Sequence, residues 1–148
     1  MTLKRMTDFL TSTARINPEQ YAAKISPNRV VSLGYALRGW LYMLRWQKNT
    51  RIMSVASVLA MIAALWLELP LVQIALIVIV ITIIWLTEFV NAGIEAAIDI
   101  AAPDIHPMAQ VGKDVASAAV LLAVLCAGIV GVLLFGPPLV VRLGLIAR

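Results

Sequence analysis

Apolar positions in this chain collect in three long runs, Met53 to Leu67, Leu69 to Leu86 and Val115 to Phe135, none of which holds a charged side chain. A helix of about 20 residues crosses the roughly 30 Å hydrocarbon core of a bilayer, so the second and third runs suffice and the first must borrow from its neighbours. Ahead of them the pattern changes: Val31, Tyr35, Leu37, Trp40, Leu41 and Leu44 recur at helical spacing, with Arg38, Arg45 and Lys48 as a basic side. Such a helix, flanked by Trp40 and Trp46, suits the headgroup layer of an anionic leaflet, and it also suits docking on a soluble partner. Residues 1–27 are polar, with prolines at 18 and 27, and read as a weakly ordered basic arm. The pattern therefore predicts an all-α integral membrane protein: an amphipathic surface helix over about 30–49, spans over about 53–68, 70–101 and 114–135, and a tail over 137–148.

Composition supports this class. Of 148 residues, 61% are hydrophobic and 14% charged, against roughly 25% charged in a soluble domain. The start "MTLKRM" leads into polar sequence without an apolar h-region, so no signal peptide is expected. The single cysteine, Cys126, excludes a disulfide frame or a thiolate cluster within one chain and reads as a small packed residue. The net charge of +4 does not point to nucleic acid, because nine of the twelve Lys and Arg precede the first span. That bias predicts a cytoplasmic N-terminus, three crossings of the inner (cytoplasmic) membrane and a C-terminus outside.

Pro70 marks the start of the second span, at N1, and nothing interrupts its pattern until Pro103. At ~1.5 Å per residue Glu88 lies about 27 Å along this helix, at the inner edge of the hydrocarbon, with Glu95 about 10 Å and Asp99 about 16 Å further on. At about 100° per residue Asn91, Glu95 and Asp99 fall within roughly 60° of Glu88 around the axis and form one stripe. Acids repel on one face unless a cation sits among them or lysines and arginines pair with them, and low dielectric sharpens the repulsion. A hard divalent cation held by oxygen ligands satisfies the stripe, as do structural ion pairs and, for Asp99, water.

The segment "VGKDVASAAV", residues 111–120, reads as a turn at Gly112, a mobile cation at Lys113, and a third helix that opens near Asp114 and ends before Pro137-Pro138. A helix start beside a lysine can receive phosphate, although capping and membrane anchoring account for the same residues. The spacing is not that of a P-loop. His106, in the same predicted loop, is either a polar loop residue or a nucleotide contact. Ala127 and Gly131 give the third helix an edge for close packing.

Taken together, "EFVNAGIEAAID" and "DIHPMAQVGKDVASAAV" resemble the prokaryotic diacylglycerol kinase family, which includes the undecaprenol kinases, over about Gly34 to Leu134. The resemblance implies a homotrimer with active sites shared between subunits at the cytoplasmic face, ATP as co-substrate, Mg²⁺ as cofactor and a membrane lipid alcohol as acceptor. It implies Glu88 as general base, Glu95 as magnesium ligand, and Asn91 and Asp99 in support. It places Tyr35, Asp104, His106, Lys113 and Asp114 on the nucleotide and Ser117 on the lipid. The family usually has Glu where this chain has Gln47; an amide oxygen can still ligate magnesium, with one negative charge fewer. The expected activity is phosphorylation of diacylglycerol or undecaprenol. The alternative is a lipid- or nucleotide-binding membrane protein without turnover, favoured by the missing carboxylate at 47. A small cation channel is disfavoured because the acids cluster at one end of the span.

Overall fold

The structure, a computed structural model, describes residues 28–102 and 106–145. The expected arm over 1–27 and Asp104 lie outside the described residues. The order is all helical: α1 (Arg29–Trp46), α2 (Lys48–Trp66), α3 (Leu71–Ala101) and α4 (Pro107–Arg142). The chain divides into two units, one ending at Leu41 and one beginning at Tyr42. In the first, the Asn28 side chain accepts the Val30 N–H at 3.0 Å and so caps the start of α1. In the second, α3 and α4 form the most extensively packed pair, with α2 against α3.

α2, α3 and α4 are long and apolar enough to cross a membrane. Among the described residues the buried apolar side chains are few and mostly small or at the helix ends, Ala64, Leu69, Ile77, Ala116 and Ala123 among them. Large ones such as Val58, Leu71, Leu122 and Val132 face outward. In water such a surface would be untenable; against lipid or a neighbouring subunit it is the expected state. Hydroxyls follow the same constraint, since Ser54, Ser57, Thr82 and Thr87 each donate to a backbone carbonyl one turn back.

Several boundaries depart from the sequence pattern. α1 stops at Trp46, because Gln47 adopts extended backbone, φ −91° and ψ 116°, and α2 then starts at Lys48, five residues before the expected span. Pro70 is the N-cap of α3 instead of N1, with the Gln73 and Ile74 N–H groups both donating to its carbonyl. The largest correction concerns α4. It opens at Pro107, not near Asp114, because His106 accepts the Met108 N–H at 3.2 Å and a proline in the first turn forfeits no internal hydrogen bond. Gly112 is consequently mid-helix and makes no turn. A Cβ there would stand 2.8 Å from Cδ1 of Ile98, so the glycine serves close approach of α4 to α3. α4 also continues through Pro137 and Pro138 to Arg142. Prolines inside a helix leave carbonyls one turn back without donors, which membrane helices tolerate better than soluble ones.

The Pro70 end of the bundle is fastened by two Schellman motifs. At the end of α2 the Glu68 N–H bonds Leu65 O and the Leu69 N–H bonds Ala64 O. At the end of α4 the Gly144 N–H bonds Val141 O and the Leu145 N–H bonds Val140 O. The left-handed residue of the second is Gly144, φ +70°; that of the first is Glu68, φ +54°. Leu69 folds back onto Ala64 and Ile77 in a cluster that reaches Leu134 and Phe135 of α4. Arg142 clasps the same corner, 3.6 Å from the Glu68 carboxylate and 5.5 Å over the Trp66 ring.

These contacts make opposite demands on two neighbours. Arg142→Ala is expected to lower stability by about 1 kcal/mol, through lost cation–π contact and a half-exposed ion pair. Glu68→Gly removes a left-handed strain of about 1 kcal/mol and loses only that ion pair, so stability holds or rises slightly. Thermal unfolding of both variants in detergent checks the difference in sign.

Candidate functional site

The α3 stripe begins with a buried carboxylate. Glu88 is 4% exposed and is the one charged side chain buried among the described residues. It lies at a cleft of about 430 Å³ between α2, α3 and α4, whose polar wall is Asn49, Glu88, Asn91, Glu95 and Ser117. The spacing of the stripe puts Glu88, Asn91 and Glu95 on one flank of α3, and α4 brings Ser117 opposite. Asn49, in the first turn of α2, lines the same cleft with its side-chain amide near the Glu88 carboxylate, and Glu95 stands close enough for like-charge repulsion.

One turn on, Asn91 Nδ2 donates to Glu95 Oε1 at 3.0 Å. Its other amide atom, Oδ1, is buried and has no hydrogen-bond partner. An orphaned amide oxygen beside a carboxylate calls for a donor or a cation, and both atoms are hard oxygen ligands of the kind Mg²⁺ takes. The donor set therefore fits the metal that the resemblance implies. No group of three His, Cys, Asp or Glu converges among the described residues, so such an ion would draw its remaining ligands from elsewhere.

Below the polar wall the cleft turns apolar. Ile52, Met53 and Val124 line both it and a second cavity of about 320 Å³ enclosed by the same three helices. Trp85, one turn before Glu88, lines that cavity and donates its indole N–H to Ser57 Oγ at 3.2 Å, tying α3 to α2. Phe89 stacks beside Trp85 at 6.0 Å between centroids. A carboxylate thus stands where an oxygen-rich cleft meets an oily one, the shape of a site for an amphiphile.

Other expected site residues of the second unit lie outside the lining of the cleft. Asp99, at the water-exposed end of α3, is paired with Lys113 of α4. Lys113 and Asp114 sit in the second turn of α4, and exposed His106 spends Nδ1 on its capping bond. Gln47 is half-buried at the α1–α2 junction, where its side chain caps nothing. Tyr35, in the first unit, is exposed with the Arg38 guanidinium 5.8 Å over its ring. Asn49 was not anticipated from the sequence. Its one signal is position, since it precedes Ile52, Met53 and Ala56 at helical spacing on the flank that faces α3.

Comparison with known proteins places this geometry in context. The model of a family described as prokaryotic diacylglycerol kinase matches residues 34–135. A diacylglycerol kinase of Synechocystis sp. is 34% identical over 119 residues, 80% of this chain and 68% of that protein. A diacylglycerol kinase of Escherichia coli K12 is 29% identical over 102 residues, 66% of this chain and 80% of the relative. An undecaprenol kinase of Bacillus subtilis is 29% identical over 108 residues, 73% and 88% respectively.

The Asp99–Lys113 pair is half-exposed, with side chains 64% and 40% accessible. Its coupling in a double-mutant cycle of Asp99→Asn and Lys113→Met is therefore expected to stay below about 1 kcal/mol in unfolding free energy. A larger coupling would mean that the pair holds the α3–α4 hairpin together.

Proposed function

The chain belongs to the prokaryotic diacylglycerol kinase family, and from that premise we propose that it transfers the γ-phosphoryl group of ATP to the hydroxyl of a membrane lipid, diacylglycerol or undecaprenol. The observation that carries this reading is the buried Glu88 at the junction of a polar cleft and an apolar cavity. A lipid alcohol cannot leave the membrane interface, so a base must reach it there. ATP cannot enter the hydrocarbon, so its ligands must stand on the wet side. One helix flank meets both demands.

In the reaction, Glu88 accepts the proton of the acceptor hydroxyl as its oxygen bonds to the γ-phosphorus. The bond from that phosphorus to the β,γ-bridging oxygen breaks, and ADP departs with the electron pair. No covalent enzyme intermediate is needed, since in-line transfer asks mainly for positioning and charge neutralisation. Glu95 and Asn91 would hold Mg²⁺, which when bound neutralises phosphate charge. Lys113, reached by exchange from Asp99, binds the phosphates, with His106, Asp104, Asp114 and Tyr35 on the nucleotide side and Ser117 beside the lipid headgroup. Gln47, two residues from cleft-lining Asn49, is the remaining amide assigned to the metal side.

The clustering of Lys and Arg ahead of α2 supports a cytoplasmic N-terminus and an inner-membrane location, with the Glu95–Lys113 end facing ATP. The same reading lays α1 along the membrane surface. Its Arg45 guanidinium, 5.4 Å over the Trp46 ring, suits a headgroup layer. The outward apolar faces of α2, α3 and α4 accommodate a homotrimer, in which neighbouring subunits complete the nucleotide side.

The test is transfer of labelled γ-phosphate to diacylglycerol and to undecaprenol in mixed micelles with millimolar magnesium. Wild-type protein is expected to label one of the two, and Glu88→Gln to lose at least roughly 10²-fold in rate. Folded wild-type protein that labels neither lipid sinks the proposal; binding of a nucleotide analogue without product then favours the non-catalytic alternative.

A further inference from the structure

Gln47 and Asn49 are amides two residues apart, yet they occupy different surroundings. Gln47 has extended backbone and precedes the helix. Asn49 lies within the first turn of α2, where a rotation of about 100° per residue puts it on one flank with Ile52, Met53 and Ala56. Asn49, Ile52 and Met53 line the polar cleft, while Ile52, Met53 and Ala56 line the apolar cavity below. Asn49 is thus the polar head of an otherwise oily helix edge, and it stands where that edge meets Glu88.

A carboxylate drawn out of water to 4% exposure needs donors from the protein. Of the other donors on the cleft wall, Asn91 gives Nδ2 to Glu95, and Ser117 stands on α4, on the side assigned to the lipid headgroup. On the α2 side of the cleft the polar side chain that faces Glu88 is Asn49, the amide of the first helical turn. We infer that Asn49 is a positioning residue for Glu88, its amide N–H donating to one carboxylate oxygen and leaving the other for the acceptor hydroxyl. This role rests on the lipid kinase reading. An amide suits it on chemical grounds. A lysine or arginine would compete with the substrate proton for the carboxylate, and an acid would add repulsion to that already present from Glu95. A neutral donor fixes geometry and costs the carboxylate less basicity than a cation would.

Three substitutions at 49 test it in full-length protein by kcat, ATP KM and unfolding midpoint. Asn49→Ala is expected to lower kcat roughly ten- to hundredfold with ATP KM unchanged, because the lost bond is to a charged group that acts only in the chemical step. Asn49→Asp should fall at least as far, and Asn49→Gln, which keeps the amide, should recover most of the rate. In the cycle of Asn49→Ala with Glu88→Gln, midpoint shifts should be non-additive. Wild-type kcat in Asn49→Ala, or a change confined to ATP KM, overturns the inference. Should the alanine variant not fold, equal kcat for the Gln and Asp variants overturns it. If wild-type protein labels no lipid, the proposed function fails on its own, and additive midpoint shifts in the cycle then remove the Asn49–Glu88 contact as well.

Discussion

Everything in this bundle is governed by one constraint: a polar group withdrawn from water must find its partner inside the protein. In an ordinary domain the rule is met mostly by secondary structure. Here the helices are apolar on nearly every side, so the few polar side chains between them are conspicuous. Serine and threonine hydroxyls turn back to their own helix, the Trp85 indole finds Ser57, and Asn91 gives its N–H to Glu95. What remains is a short list: a buried carboxylate near the Asn49 amide, and two buried oxygens, of Asn91 and Thr50, with no partner. Of these, the carboxylate of Glu88 and the orphaned oxygen of Asn91 belong to residues of one cleft, the place in the bundle where the rule is least fully met.

The opposite end of the bundle shows the same economy applied to backbone. Two helices end in the same six-residue hydrogen-bond pattern, one with glycine at the left-handed position and one with glutamate. Glycine would be cheaper for the backbone at both. Glu68 is positioned to pair with Arg142, and Arg142 reaches it because α4 continues past its two prolines. Strain in one residue and missing helix bonds in another thus serve a single tie between the α2–α3 turn and the end of α4. The tie lies at the Pro70 end of the bundle, far along α3 from Glu88.

Much of this was legible in the sequence. The three apolar runs have the length that lipid imposes, and the stripe at Glu88, Asn91 and Glu95 follows from helical period alone. Boundaries were harder. Gly112 read as a turn because glycine permits one, whereas its small size was being used for contact with Ile98. The proline pair read as a stop because it breaks helices in water, a rule that weakens where neighbours cover the freed carbonyls. The break at Gln47 carries no proline, glycine or capping side chain, so no local residue type announces it. It fixes the phase of α2, and that phase decides that Asn49 and not Lys48 looks into the cleft. An error of one residue there rotates every assignment by about 100°. For that reason residue types alone do not single out Asn49.

Solvation along the α3 stripe is graded. Glu88 is nearly fully enclosed, Glu95 is half-buried beside Asn91, and Asp99 is mostly in water with Lys113. Three acids of nearly identical intrinsic chemistry therefore meet three dielectric regimes within about 16 Å of one helix. In water the charge on Asp99 is screened and its ion pair with Lys113 is weak. In the half-buried zone Glu95 takes a hydrogen bond from Asn91. At the enclosed end each hydrogen bond to Glu88 counts for more, because nothing else competes for it. Along such a gradient a single helix presents like residues to unlike surroundings with no further element to separate them.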